Sequence, residues 1–143
     1  MSVEHILTKK GRDVVTISPD QTLADAAHIL SHHRIGAIVI VDGSGMVLGI
    51  LSERDVVRAV ADSGGSALDT PISSRMTKEV VTCAAATGID DLMEIMTTGK
   101  FRHVPVVEGG RLAGIVSIGD VVKHRLADIE AEQRAMRDYI ATA

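Results

Sequence analysis

The feature that most constrains this chain is a seven-residue pattern that occurs twice. Residues 49–55 read GILSERD and residues 114–120 read GIVSIGD: glycine, two aliphatics, serine, two variable residues, aspartate. Each copy follows a strand-like apolar run and precedes a helix-like one. The likeness extends outward from the pattern. With a shift of 66 residues, Val14-Val15-Thr16 falls on Val80-Val81-Thr82, Asp25 on Asp91, Ile29 on Ile95, Arg34 on Lys100, and 38–41 on 104–107. The shift then becomes 65, because the turn Asp42-Gly43-Ser44-Gly45 is one residue longer than Glu108-Gly109-Gly110. An internal duplication tolerates such a difference in a glycine-rich turn. The fold must therefore build one unit twice.

Each unit reads β-α-β-β-α. Short β-branched runs at 14–17 and 80–83 predict a first strand. A helix follows, opened in the first unit by Thr22 and Asp25 in a capping-box pattern, with Leu23, Ala26, Ala27 and Leu30 on one face. Two strands joined by a glycine-rich turn come next, 37–41 with 47–51 and 103–107 with 112–116. Ser52 and Ser117 then open the second helix of each unit. Ser63-Gly64-Gly65-Ser66 reads as the linker, and Thr70-Pro71 as the start of a short helix at 72–76. A three-stranded unit of about 50 residues buries too little surface to stand alone. Two copies that bury their apolar faces on each other give a pseudo-twofold α/β (α+β) module with two similar clefts. The expected divisions are 1–62, a linker at 63–70, 71–126, and a helical extension at 127–143.

Composition narrows the function. Hydrophobic residues make up 45% of the 143, enough for a sizeable core, yet there is one Tyr, one Phe and no Trp. The chain thus lacks stacking platforms for single-stranded nucleic acid. A net charge of -4, with both signs spread along the chain, leaves no basic footprint for nucleic acid or anionic lipid. Cys83 is the only cysteine, which excludes an internal disulfide and fits a reducing compartment. No apolar segment has the length of a signal peptide core or a membrane span. The expectation is a cytoplasmic globular protein.

The simplest role for Ser-x-x-Asp is a capping box, which satisfies free N–H groups at a helix start and adds roughly 1 kcal/mol. Three features point further. The pattern is tied to a glycine near a strand end in both copies. Asp reaches back less well than Glu. A strand-to-helix turn also aims free N–H groups and the positive helix end at a cleft edge, which suits a phosphate. There a carboxylate can accept both hydroxyls of a ribose and a serine can meet phosphate, while a nearby glycine permits close backbone approach.

The combination resembles the CBS-domain pair, or Bateman module. The matching stretches are VVTISPDQTLADAAHIL, GAIVIVD and GILSERDVV, answered by VVTC and FRHVPVVEGGRLAGIVSIGD. The likeness covers roughly residues 1–126, in two copies and in the right order. It implies a regulatory module that binds adenosine-containing ligands: AMP, ADP, ATP, in some members NAD(H) or S-adenosylmethionine. Carried over residue by residue, Asp55 and Asp120 are the ribose ligands and Ser52 and Ser117 the phosphate-side ligands. Backbone near Thr16-Ile17 and Thr82-Cys83, with Gly36-Ala37-Ile38 and His103-Val104-Pro105, would hold the adenine. A subgroup of stand-alone pairs with similar SERD and SIGD variants tilts the expectation toward AMP in one cleft and a dinucleotide such as NAD in the other.

The copies differ between Ser and Asp, where Glu53-Arg54 is answered by Ile118-Gly119. Arg54 can meet a phosphate and Gly119 cannot. Arg102-His103 stands where the first copy has Gly36-Ala37, so the clefts are expected to be chemically unequal. His103 is either a phosphate donor or a strand residue satisfied locally. His28 and His32 have metal-ligand spacing, but they lie opposite the apolar helix face and read as exposed, so no metal site is expected. Cys83 lacks the neighbours of a nucleophile and reads as a small packed residue. No catalytic triad, phosphate-binding loop or carboxylate pair marks an enzyme. Val122, Leu126, Ile129, Met136 and Ile140 form a seam with Gln133 at the missing position. It either lies back on its own module or joins two copies, and the homodimer is the favoured expectation. The leading expectation is a non-enzymatic sensor acting on a downstream protein partner. The alternative is a structural interaction module whose clefts are vestigial.

Overall fold

The duplicated hairpins set the framework of the computed structural model, which describes residues 1–142. Ala37–Val41 (β2) pairs antiparallel with Val47–Ser52 (β3), and Thr16–Ile17 (β1) joins β2 in parallel, in the order β1-β2-β3. In the second half His103–Glu108 (β4) pairs antiparallel with Arg111–Ser117 (β5). The registers correspond: Ala37 faces Ser52 and His103 faces Ser117, and both hairpins carry a bulge, at Ile40/Val41 and Val106/Val107. Gly45, Gly109 and Gly110 take positive φ in the two turns, which explains their glycine content.

The helices are Val3–Lys10 (α1), Leu23–His33 (α2), Glu53–Ser63 (α3), Ile89–Gly99 (α4) and Ile118–Thr142 (α5). Thr22 and Asp25 close the capping box expected at α2. Helices α2 and α4 both end on a left-handed basic residue, Arg34 at φ 54° and Lys100 at φ 57°, so the repeat extends to backbone detail. No helix among the described residues is long and apolar enough to cross a membrane.

Several expected elements take another form. The strand at 14–17 shrinks to Thr16–Ile17. The strand at 80–83 is absent; only Cys83 bridges Val106 in parallel. The chain before it is drawn to the other half, where Thr77 exchanges two backbone hydrogen bonds with Ile50, 3.0 and 2.9 Å. The glycine-rich linker is not loose, since Gly64–Asp69 forms a 3-10 turn that buries Ala67. The short helix at 72–76 is a 3-10 turn, Ile72–Ser74. The second helix of the second unit and the C-terminal extension are one unbroken 25-residue helix.

The apolar interior falls into two clusters rather than one shared core. Leu23, Ile38, Ile40 and Leu51 anchor the first, and Leu92, Val104, Val106 and Val116 the second. What ties the halves is an exchange of leaders. Helix α1 precedes the first repeat, yet its Val3, Ile6 and Leu7 belong to the second cluster. The segment before the second repeat places Ile72 in the first cluster and packs Met76 against it. The bridges Ser2–Gly88 and Thr22–Pro71 fasten the two crossings. This exchange explains the glycine of the repeated pattern. A Cβ at Gly49 would lie 2.6 Å from Met76 Sδ, and one at Gly114 would lie 2.8 Å from Leu7 Cδ2. Each glycine thus makes room for the other repeat's leader.

Candidate functional site

The hairpin register brings each motif serine to the end of a strand and the start of a helix. Ser52 is the last residue of β3 and the N-cap of α3. Asp55 Oδ2 accepts from Ser52 N at 2.8 Å and Ser52 Oγ at 3.1 Å, while Asp55 N donates to Ser52 Oγ at 3.3 Å. In the second copy Ser117 N donates to Asp120 Oδ2 at 2.8 Å and Asp120 N to Ser117 Oγ at 3.2 Å. The capping reading is therefore realised in both copies. It uses one carboxylate oxygen of each aspartate; Oδ1 of Asp55 and of Asp120 accepts no hydrogen bond among the described residues.

The first copy opens onto a cleft of about 290 Å³. One wall is the β3–α3 turn, with Ser52, Glu53, Arg54 and Asp55, extended one helical turn to Arg58. Thr77, Glu79, Val80 and Val81 cross opposite. Lys100, Phe101, Arg102 and His103 close it from the α4–β4 connection, and Gly36-Ala37 and Ile50 complete the lining. Four basic side chains, Arg54, Arg58, Lys100 and Arg102, thus line the cleft with three acidic ones, Glu53, Asp55 and Glu79. His103 lies against Gly36, where a Cβ would come within 3.2 Å of the ring. Burial, and then the charge of Lys10, hold the His103 pKa below its ordinary value despite Asp120 and Glu53. The shift favours the neutral imidazole, which offers one donor and one acceptor.

Of the residues expected around an adenine, Gly36, Ala37 and His103 line this cleft, as does Arg102. Ile17, Ile38 and Val104 are core residues instead, and Pro105 is buried with them. Cys83 is also buried, and burial pushes its thiol up to about 11. Thr16 and Thr82 are outside the lining. The backbone run that borders the cleft, 77–81, lies one to five residues before Thr82, because the leader pairs with Ile50 before it reaches the sheet at Cys83. Sequence reasoning missed Ile50, Arg58, Thr77, Glu79, Val80, Val81, Lys100 and Phe101 as lining residues. Two signals were present: Arg58 stands one turn after Arg54, and Lys100-Phe101 adjoin Arg102-His103.

The second copy differs in an unforeseen way. Lys10, at the end of α1, donates to Asp120 Oδ2 at 2.7 Å and to the Ile115 carbonyl at 2.9 Å. Burial pushes the Asp120 carboxyl up, but the bonds from Lys10 and Ser117 outweigh it and hold the group below its ordinary value. In the first half the matching carbonyl, Ile50, accepts from the Thr77 backbone N–H, and the side chain nearby is Met76. Among the described residues no three His, Cys, Asp or Glu come together as a metal site, and His28 and His32 are exposed.

Comparison with known proteins fits this geometry. The family model described as "CBS domain" matches residues 3–62 and 72–127. The chain belongs to the CBS-domain family. This CBS pair is 56% identical to the CBS-domain containing protein ATU1752 from Agrobacterium tumefaciens, whose crystal structure matches with a TM-score of 0.82 over 87% of this chain and 98% of that one. The CBS domain-containing protein YhcV of Bacillus subtilis is 31% identical over 130 residues, 91% of this chain and 89% of its own. The CBS domain pair of protein MJ0100, solved in complex with 5'-methylthioadenosine and S-adenosyl-L-methionine, is 27% identical, with a TM-score of 0.80 over 90% of this chain and 98% of that one.

Proposed function

We propose that this CBS pair is a non-enzymatic sensor whose first cleft binds an adenine nucleotide, with AMP the best fit. The observation that carries this reading is the convergence at one cleft of a helix start, a carboxylate with an unengaged oxygen, and four cations drawn from both halves. Asp55 Oδ1 is available to a ribose hydroxyl without breaking the cap. The N-terminus of α3 and Arg54 suit a phosphate. A volume of about 290 Å³ lies at the small end for ligand sites, which favours a mononucleotide; NAD would have to extend outside. The MJ0100 pair, with its two adenosine compounds, supports the ligand class. A ligand here touches Ser52–Arg58 of one half and Lys100–His103 of the other, so binding alters how the halves sit together and how a protein partner reads them. We assign the outward stripe of α5 to a second copy of the chain. Its Val122, Leu126, Ile129, Met136 and Ile140 are 39–66% exposed, and they continue well beyond the last buried residue of that helix, His124.

Calorimetry with AMP and adenosine tests the cleft. Asp55→Ala should weaken both by roughly 1.5–3 kcal/mol, the worth of charge-assisted hydrogen bonds. Arg54→Ala should weaken AMP about ten- to a hundredfold and leave adenosine nearly unchanged. Unchanged affinity for both ligands in Asp55→Ala defeats the reading. A second reading, a structural interaction module, is favoured by the closed capping boxes. It expects no nucleotide binding and a cap loss of roughly 1 kcal/mol in stability on Asp55→Ala.

A further inference from the structure

The two Ser-x-x-Asp turns share register, cap geometry and backbone, yet only the second has its aspartate held by a distant side chain. Lys10 reaches Asp120 and the Ile115 carbonyl from α1, a helix that belongs by chain order to the other repeat. The exchange of leaders makes this possible. The first half performs the same backbone task without a charge, through the Thr77 N–H on the Ile50 carbonyl. The chain therefore contains its own reference for the second cleft without a lysine.

We propose that Lys10 is an internal occupant of the second nucleotide site, holding Asp120 Oδ2 against ligand and making the two clefts of the pair unequal. This rests on the nucleotide reading of Asp55 given above. An ammonium satisfies a carboxylate as donor, the role that ribose hydroxyls would take. It does so with full charge and without the entropy of bringing in a second molecule. The ion pair is partly sheltered, with side-chain exposures of 31% for Lys10 and 23% for Asp120, so water screens it less than a free surface pair. A ligand that places both ribose hydroxyls on the Asp120 carboxylate has to displace Lys10 from Oδ2, and with it the bond to the Ile115 carbonyl; only Oδ1 stays open beside the ammonium. A neutral ligand returns nothing to the displaced ammonium. The second site is thus conditional: it opens when the end of α1 lifts, and a ligand bound there would signal through that helix to the core it helps to build.

The test is calorimetry of AMP and adenosine with the full chain, comparing wild type, Lys10→Met, and Lys10→Met combined with Asp55→Ala. Lys10→Met removes the ammonium and keeps an unbranched side chain. Wild type should take one equivalent of each ligand, and Lys10→Met two. The added site should persist in the double variant and be stronger than any residual wild-type second site by about ten- to a hundredfold, the range of a charge-assisted hydrogen bond. Lys10→Gln, uncharged but still a donor, serves as a second check should the thioether pack poorly. One equivalent in every Lys10 variant, lost on Asp55→Ala, keeps the nucleotide reading and overturns the internal occupant. Two equivalents of AMP in wild type, one of them weakened by Lys10→Met, would make Lys10 a phosphate ligand and also overturn it. No binding to any variant rejects the nucleotide reading and this inference together.

Discussion

Gly114→Ala tests the exchange of leaders, which also sets Lys10 beside Asp120. The new methyl would lie 2.8 Å from Leu7 Cδ2 and 3.2 Å from Cδ1. Leu7 is 1% exposed and packed in the second cluster, so it cannot swing into solvent; α1 must shift or the strand must bow. Overpacking of this kind costs roughly 1–3 kcal/mol. For a chain of this size that lowers Tm by roughly 3–10 °C. Leu7→Ala alone should cost about 2–5 kcal/mol, since it opens a cavity in a buried cluster. In the double variant the added methyl sits beside the space Leu7 left. The combined loss should therefore fall short of the sum by at least about 0.5 kcal/mol, as for residues in contact. Scanning calorimetry on the four proteins closes the cycle, with Gly43→Ala as a control because a Cβ there meets nothing within 4 Å. A Gly114→Ala protein as stable as wild type, or losses that add within experimental error, would refute the claim that this glycine exists to admit Leu7. If the glycine instead served only close approach to a ligand, ligand-free stability would not change at all.

Protonation of His103 should be visible in stability: its folded pKa lies below the ordinary 6.5, so the unfolded chain takes up a proton first as pH falls, and stability should decline just below 6.5 and be fully present above it. Thermal melts on either side of 6.5 should show this slope in wild type and lose most of it in His103→Gln; an identical slope in the variant would place the effect elsewhere. Truncation after Ala127 keeps every buried residue of α5, the last of which is His124, so the module should stay folded while the mass in light scattering falls from dimer to monomer. Equal masses for the full and truncated chains would remove the α5 seam.

The sequence was most legible where structure is local. Hairpins, caps and helix faces follow from period, turn glycines and Ser-x-x-Asp spacing, and the hairpin registers at Ser52 and Ser117 carry the repeat into three dimensions. It was least legible where a segment's partner lies far along the chain. Residues 80–83 have β propensity, but whether they join a sheet depends on where Thr77 has already been fixed. The apolar Ile6, Leu7, Ile72 and Met76 announce burial without saying in which half. The same holds for the cleft. Arg54 and Arg102-His103 could be read from their copies' differences, whereas Lys10 and Asp120 are 110 residues apart and nothing local links them. The glycine of the pattern was assigned to ligand approach, while its closest neighbours are Met76 and Leu7.

The crossed leaders also bear on how such a chain can arise and come apart. A single repeat with its own leader could not fill its own groove; two separate copies could, by trading those segments, which is a domain-swapped pair. Joining the copies head to tail turns that trade into an internal one. Each leader is then held near its groove at an effective concentration on the order of millimolar, whatever the amount of protein in the cell. A cut between the repeats would leave two fragments, each carrying the segment the other lacks. Such fragments should be poorly folded alone and recover the native fold when mixed.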